Sequence, residues 1–434
     1  MQINKNTINI FWAIVIISWI SSCKTFHKSG SVLKPVSEQE PMTSQTTGIS
    51  DTVSGFSDEI QNLHDDYPTN ITKSPTVYDT IPYVESLDFQ DTLILFSNQK
   101  LNDENLANEI VKRTPGIHEL DSLANITFFN YDHFITDREK LNIYHYSTDE
   151  VPVFTDSVYA ARISKINRLT PFELTYNKTV RNFIELYTVK KRDLSSRLLG
   201  LSEIYFPMIE DILDQHDLPF ELKYLAVVES ALVPNAGSRA GAKGLWQFMY
   251  RTGKVYGLEV NSLVDDRYDP YKSTIAASRH LHDLYDIYQD WSLALAAYNS
   301  GAGNVNKAIR RAGGVKSYWA IWPFLPRETR GYVPAFIAVC YFMNYSAEHN
   351  LYPVDPGILY DGIDTVHVHD VLSFDQISEY LNIPYNDVKF LNPSYKQGII
   401  PADKNHMYIL RLPRKNTGDF VSNEKEIYNY KTKK

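Results

Sequence analysis

The chain has 434 residues, of which 43% are hydrophobic and 22% charged, enough for two or three domains with a sizeable core. Its formal net charge is -9, and Lys and Arg are nowhere concentrated. That excludes a nucleic-acid binder, because phosphate contacts need clustered cations.

In chain order, Lys5 precedes the apolar run FWAIVIISWI. The run is too short to span a bilayer as a settled helix and suits a signal-peptide core. Ile20, Ser21, Ser22 and Cys23 follow directly, and this stretch resembles a bacterial lipobox. The resemblance implies removal of residues 1–22 and lipidation of Cys23, a tether rather than a span. An ordinary secretory signal with an incidental Cys is the alternative. Lys24 behind the Cys implies, by the same resemblance, a periplasmic protein anchored to the outer membrane. Cys340, in AFIAVCYFMN, would then have no disulfide partner and reads as a buried, inert thiol.

Residues 23–150 read as a flexible tether and poorly defined N-terminal region. SEQEPMTSQTTGISDTVSGFSDE has little to bury. The piece from LDFQDTLILF to NEIVKRTPG has the pattern of a strand and a helix but identifies no chemistry. Residues 151–350 switch to apolar positions three and four apart, as in TVRNFIELYTVKKRDLSSRLLGLSEIYFPMIEDILDQHDLP, and predict an all-α domain. Asp269 before Pro270 predicts an N-cap, and Asp266 with Arg267 a surface pair.

The period changes again after YPVDPG. Residues 358–413 predict a strand (Thr365 to Val368), two short helices and a closing strand (Met407 to Leu412), a small α+β unit of βααβ order. This order resembles a LysM domain, a peptidoglycan- and chitin-binding module. Asp370, Val371, Leu372 and Ser373 stand where that module usually has Gly-Asp-Thr-Leu. Residues 414–434 are expected to be a disordered tail.

One acid sits on the wrong face of its helix. Glu229 follows Leu222, Leu225 and Ala226 along a single apolar stripe of a helix opened near Pro219. A carboxylate there loses hydration, which raises its pKa above the free value of about 4.3 and suits it to give and retake a proton. A paired or snorkelling glutamate is the competing reading. The loop behind it carries Pro234, Gly237, Gly241 and Gly244, which let backbone approach a ligand, and then Trp246, Gln247 and Met249. These residues suit a sugar cleft, with core packing equally consistent for Trp246 and Met249.

Glu229-Ser230, Ser238, Gly241-Ala242, Gly244-Leu245, Gln247-Phe248-Met249, AAYNSG (Ala296 to Gly301) and ETRGYV (Glu328 to Val333) look like successive motifs of the soluble-lytic-transglycosylase domain of glycoside hydrolase family 23. The resemblance covers roughly residues 151–350. It implies a lysozyme-like helical catalytic domain, so that the chain as a whole is mainly α. It also implies that Glu229 is the single acid/base cleaving the β-1,4 bond between N-acetylmuramic acid and N-acetylglucosamine. The muramyl C6 hydroxyl is then the nucleophile and a 1,6-anhydro ring the product, whereas two-carboxylate glycosidases need a second acid.

By residue matching, Ser238, Gln247 and Met249 would line the cleft and contact N-acetyl groups, and Trp246 would stand among them where many relatives carry another apolar residue. Tyr298 and Asn299 match the AYN motif, with Tyr298 near Glu229 to stabilise charge at C1. Glu328 matches a further cleft residue, and a first-turn helix acid is an equally good reading of it. No metal or other cofactor is implied: His280 and His282, two apart on a helix, face different directions. The implied partners are peptidoglycan strands and, through Cys23, a membrane. The rivals are a hydrolytic muramidase of the goose-lysozyme type and a non-catalytic wall-binding lipoprotein.

Overall fold

In a computed structural model, the described residues are 100, 102–114 and 138–432. The signal-like run, Cys23 and most of the expected tether lie outside the described residues. Among the described residues, no helix is long and apolar enough to cross a membrane.

One part of the region read as a tether is a packed helix. α1 (Glu104–Arg113) is capped by Asp103, whose side chain accepts from the Leu106 N–H, and it buries Ala107 and Ile110. Ten residues are too few for a helix to stand alone in water, so its partners hold it. Glu104 pairs with Lys178 at 3.1 Å, and Asn182 Nδ2 donates to Glu104 and Asn108 at 3.1 and 3.2 Å. The helix falls in the piece whose pattern suggested a strand and a helix, but its docking was not legible because only two of its positions enter the core.

The helical part continues with α2 (Asp156–Asn167), α3 (Lys178–Glu185), α4 (Arg192–Gln215), α5 (Lys223–Ser230), α6 (Tyr250–Val255), α7 (Pro270–Tyr288), α8 (Trp291–Ser300), α9 (Ala302–Arg311) and α10 (Arg327–Asn344). α10 runs through the middle, buried continuously from Gly331 to Phe342, which is how a helix without a polar face is accommodated. Pro334 lies inside it and has no N–H for the carbonyl four residues back. That carbonyl, of Arg330, instead accepts from Tyr318 Oη at 3.0 Å and Trp322 Nε1 at 2.9 Å. The helix therefore passes its proline with the freed acceptor satisfied. Cys340 is fully buried, and burial pushes its thiol well above the ordinary value.

A second core belongs to the C-terminal unit. β1 (Ile363–Val368) pairs antiparallel with β4 (Tyr408–Pro413), in register from Ile363 opposite Pro413 to Val368 opposite Tyr408. Between them lie β2 (Val371–Ser373), paired with β3 (Ile399–Pro401), and the helices α11 (Phe374–Leu381) and α12 (Tyr385–Leu391). Ser373 and Gln376 close a capping box at the start of α11. The expected disordered tail is a correction: α13 (Arg414–Ser422) and α14 (Glu424–Asn429) fold back, burying Phe420 and Ile427. Gln376 Nε2 donates to the Tyr428 carbonyl at 3.1 Å, and Tyr428 Oη accepts from the His369 N–H at 2.9 Å. Two apolar anchors in a polar stretch are enough once a surface waits for them.

The C-terminal unit is docked on the helical part through the segment 261–269. The Asp265 N–H donates to the Ser394 carbonyl and the Lys396 N–H to the Leu263 carbonyl, both at 2.9 Å. Arg411 of β4 donates to both oxygens of Asp269, at 2.8 and 3.0 Å, and both residues are buried or nearly so. Asp269 is also the N-cap of α7, accepting from the Tyr271 and Lys272 N–H groups. Burial alone raises the Asp269 carboxyl, and the adjoining Arg411 guanidinium overrides it and holds the group below the usual carboxylate value. The expected surface pair of Asp266 and Arg267 is corrected as well. Arg267 pairs with Asp265 at 2.8 Å in a buried setting, and Asp266 takes Lys272 at 2.9 Å.

Truncating Arg411 strands a buried carboxylate, so Arg411→Ala should cost about 3 kcal/mol in urea unfolding. Arg411→Lys, a cation without the two-pronged fork, should recover part of that loss. His349 sets a pH dependence. It is fully buried, with Tyr341 Oη at 3.0 Å from Nε2, and burial followed by the nearby Arg162 charge lowers its pKa to about 3. Because this lies below the free value of about 6.5, the unfolded chain binds the proton first as acid is added. The His349 contribution is complete above pH 6.5 and is lost as pH falls toward 3, at up to about 1.4 kcal/mol per pH unit. Urea midpoints measured from pH 7 to 4 should therefore fall less steeply in His349→Phe.

Candidate active site

Glu229 is the penultimate residue of α5, and the helix stops immediately behind it. Ala231 and Leu232 both take left-handed backbone, with φ of 51° and 60°. Ser230 Oγ donates to the carbonyls of Ala226 (3.0 Å) and Leu245 (2.9 Å), tying the helix end to the following loop. The Glu229 side chain stays on the apolar stripe the spacing predicted and is only 7% exposed. Its Oε1 accepts a hydrogen bond from Tyr332 Oη, on α10. Burial, and next the charge of Glu229, push the Tyr332 phenol well above its ordinary value. The phenol therefore keeps its proton and is the donor in this pair.

Residues 237–248 form a tight loop in which Lys243 bridges to both Gly237 and Phe248. The Ala242 N–H donates to Ser238 Oγ at 3.0 Å. Gly244 is obligatory: its φ is +83°, and a Cβ there would lie 1.7 Å from the Arg267 carbonyl oxygen. Arg267 Nη1 in turn donates to the carbonyls of Gly241 (3.1 Å) and Phe248 (3.3 Å), so the buried Asp265–Arg267 pair holds the loop from behind. Gln247 adopts φ of 47° without being glycine, and its Nε2 donates to the Gly244 carbonyl at 2.9 Å. Strained backbone of this kind needs surroundings that over-determine it, and here the loop supplies them.

Glu229 opens into a cleft of about 820 Å³, within the range of sites that hold small organic ligands. Of the residues singled out from the sequence, Glu229, Ser238, Gln247, Met249, Tyr298, Asn299 and Glu328 all line it. Met249 is 46% exposed, available to a ligand rather than spent on the core. Glu328 lies in the first turn of α10, so both readings of it describe its place. Trp246 is the exception and is corrected: its indole is fully buried, with Nε1 donating to Thr274 Oγ1 at 2.9 Å. The left-handed turn at Gln247 sends the two neighbouring side chains to different places. The Trp246 carbonyl accepts from Tyr298 Oη at 2.8 Å, which fixes Tyr298 to the loop.

Other residues were missed, among them the fully buried Tyr332 behind Glu229 and several that line the cleft. Tyr332 stood in the ETRGYV motif four residues beyond Glu328, and a phenol at i+4 from a cleft acid was its signal. Lys112, Arg113 and Thr114 reach the cleft from α1, and nothing in NEIVKRTPG announced it. His280 also lines it, with burial lowering its pKa to about 4, so it is a neutral ring at pH 7. His282 lies instead beside Asp286 at 3.4 Å. Among the described residues, no group of His, Cys, Asp and Glu is arranged to hold a metal ion.

Comparison with known proteins matches two segments. Residues 207–320 match the family model described as transglycosylase SLT domain, and residues 362–429 the model described as the LysM-like domain of lytic transglycosylase MltD. The membrane-bound lytic murein transglycosylase D proteins of Escherichia coli strains K12 and CFT073 are each 32% identical over 207 residues, 46% of this chain and 45% of theirs. The chain thus spans less than half the length of these relatives. The solved 70 kDa soluble lytic transglycosylase of Escherichia coli aligns with a TM-score of 0.32 at 18% identity, over 60% of this chain and 45% of that one.

The loop geometry carries its own test. Gly244→Ala puts a Cβ into the Arg267 carbonyl at a positive φ, so it should destabilise by more than about 2 kcal/mol in thermal or urea unfolding. Gly257→Ala, also at positive φ but with nothing within 4 Å of the added Cβ, should cost less, about 1 kcal/mol.

Proposed function

We propose that this chain, which carries a transglycosylase SLT domain followed by an MltD-type LysM-like domain, is a lytic murein transglycosylase. The observation that carries the reading is the buried Glu229 carboxyl, gripped by Tyr332 at the wall of a sugar-sized cleft. Glu229 gives its proton to the glycosidic oxygen between N-acetylmuramic acid and N-acetylglucosamine as the C1–O bond breaks. The same carboxylate then takes the proton of the muramyl C6 hydroxyl, whose oxygen closes on C1. The 1,6-anhydro ring forms and no water is consumed.

Tyr332 fixes the carboxyl rotamer and steadies the charge it carries between the two steps. Tyr298, held to the Trp246 carbonyl, sets one wall, and its phenol is also kept protonated by burial. Ser238, Gln247, Met249, Asn299 and Glu328 are the side chains positioned to meet the strand. His280, kept neutral by burial, has no spare proton to give as an acid there.

The same reading places the protein in the envelope, with Cys23 lipidated and the C-terminal unit as a second, weak glycan contact that raises local substrate concentration. If Cys23→Ser fractionates with the outer membrane as the parent does, the anchor is wrong. Digestion of purified sacculi followed by mass spectrometry tests the chemistry. Anhydro-muropeptides are expected, and new reducing ends would mean hydrolysis instead. Glu229→Gln should lower turnover by about 10²- to 10⁴-fold, the usual worth of a general acid/base. Tyr332→Phe should lower kcat by roughly tenfold with a smaller change in KM, the loss of one charge-assisted hydrogen bond.

A further inference from the structure

The chain is acidic overall, yet two adjacent cations, Lys112 and Arg113, stand at the cleft, delivered by a helix outside the matched SLT segment. Their placement is built rather than incidental. α1 is pinned at its start by Glu104 and Asn108 as described, and at its end by Thr114, whose Oγ1 donates to the Ile110 carbonyl at 2.9 Å. Thr114 then packs on Gly331: a Cβ at that position would lie 2.1 Å from its Oγ1. Gly331 is the neighbour of Tyr332, the partner of Glu229. The last turn of α1 is thereby fixed one residue away from the catalytic pair.

The charge around this turn is unbalanced. Lys112 has no ion pair among the described residues, and the Arg113 pair with Glu109, at 2.8 Å, is solvent-exposed and weak. Arg239 adds a third cation to the lining, against the carboxyls of Glu229 and Glu328. Cations do complement the C-terminal end of a helix dipole, but that role needs no cleft.

We infer that Lys112 and Arg113 form an anion subsite that reads the substrate. Resting on the transglycosylase reading, the group it takes is a carboxylate of the peptide borne by the lactyl ether of the muramyl residue. That sugar carries both the bond being cleaved and the peptide, so a strand seated at Glu229 brings peptide carboxylates to the mouth of the same cleft. The subsite makes the enzyme prefer peptide-bearing strands to bare glycan, and it offsets the repulsion between an acidic protein and an anionic polymer.

The test compares purified peptide-bearing strands with the same strands stripped by an N-acetylmuramoyl-L-alanine amidase and then capped as the methylamide at the lactyl carboxylate that the amidase frees, reading the ratio of kcat/KM for the two. The full chain should favour the peptide-bearing strands, and the preference should shrink as salt is raised from 0.05 to about 0.5 M. Lys112→Gln with Arg113→Gln should lower the ratio by about tenfold, the worth of one screened charge contact near 1.4 kcal/mol. The charge-keeping exchange Lys112→Arg with Arg113→Lys should retain most of it. A parent without preference, or a double variant whose rates fall equally on both substrates, overturns the subsite and leaves the cations as helix-end charges. Failure of the underlying reading looks different: anhydro products would be missing from both substrates, or Glu229→Gln would match the parent on both.

Discussion

The five residues from Asp265 to Asp269 are the constraint on which the rest of the molecule depends. Arg267, neutralised by Asp265, reaches the carbonyls of Gly241 and Phe248 and sets the loop that walls the cleft. Asp269 starts α7, the helix that carries His280, and binds Arg411 of the C-terminal unit. The Asp265 N–H meets the Ser394 carbonyl of the same unit. Loop, helix and module thus share one buried polar segment. Such a segment tolerates little, because any partner removed leaves a charge or a carbonyl without water to replace it. The consequence is that the C-terminal unit is a fixed extension of the helical part and sits behind the cleft wall.

A second polar group is buried at the cleft itself. A carboxyl that is 7% exposed on an apolar helix face costs stability unless something receives it. Tyr332 receives it, and α10 can present that phenol because its proline is accommodated by Tyr318 and Trp322 a turn earlier. The same stretch of α10 omits a side chain at Gly331, which admits Thr114 and with it the cationic turn of α1. The site is assembled from segments more than a hundred residues apart in the chain, each placed by packing that has no chemistry of its own.

Much of this was legible beforehand where local rules decide. Period and capping residues announced helices within residues 151–350, the outer strands β1 and β4 of the C-terminal unit and the Asp269 cap, since 3.6- and 2-residue repeats and an Asp before Pro act within a few residues; the three-residue strands β2 and β3 are too short to show a repeat. Glu229 was visible as a polar break in an apolar stripe, and most of the cleft residues followed from the motif resemblance. Legibility failed where distance mattered. Trp246 and Gln247 are neighbours, yet a left-handed turn sends one indole into the core and leaves the amide in the cleft. Phe420 and Ile427 are too sparse for their helices to be seen until α11 offers them a surface.

By itself, then, the sequence determined the helical class of the main part, the small strand-and-helix unit behind it and the unusual acid at Glu229, because each is written in spacing along one segment. Only the tertiary structure decided that Tyr332 holds that acid, that Arg267 pairs with Asp265 rather than its neighbour, that Arg411 reaches Asp269, and that Lys112 and Arg113 arrive at the cleft. Apart from the Arg267–Asp265 pair, which is local but aimed by the loop carbonyls that Arg267 also reaches, those are contacts between remote segments. Their physical cause is the need to pair polar groups that the packing of apolar faces has taken out of water, and no local pattern records which partner will be there.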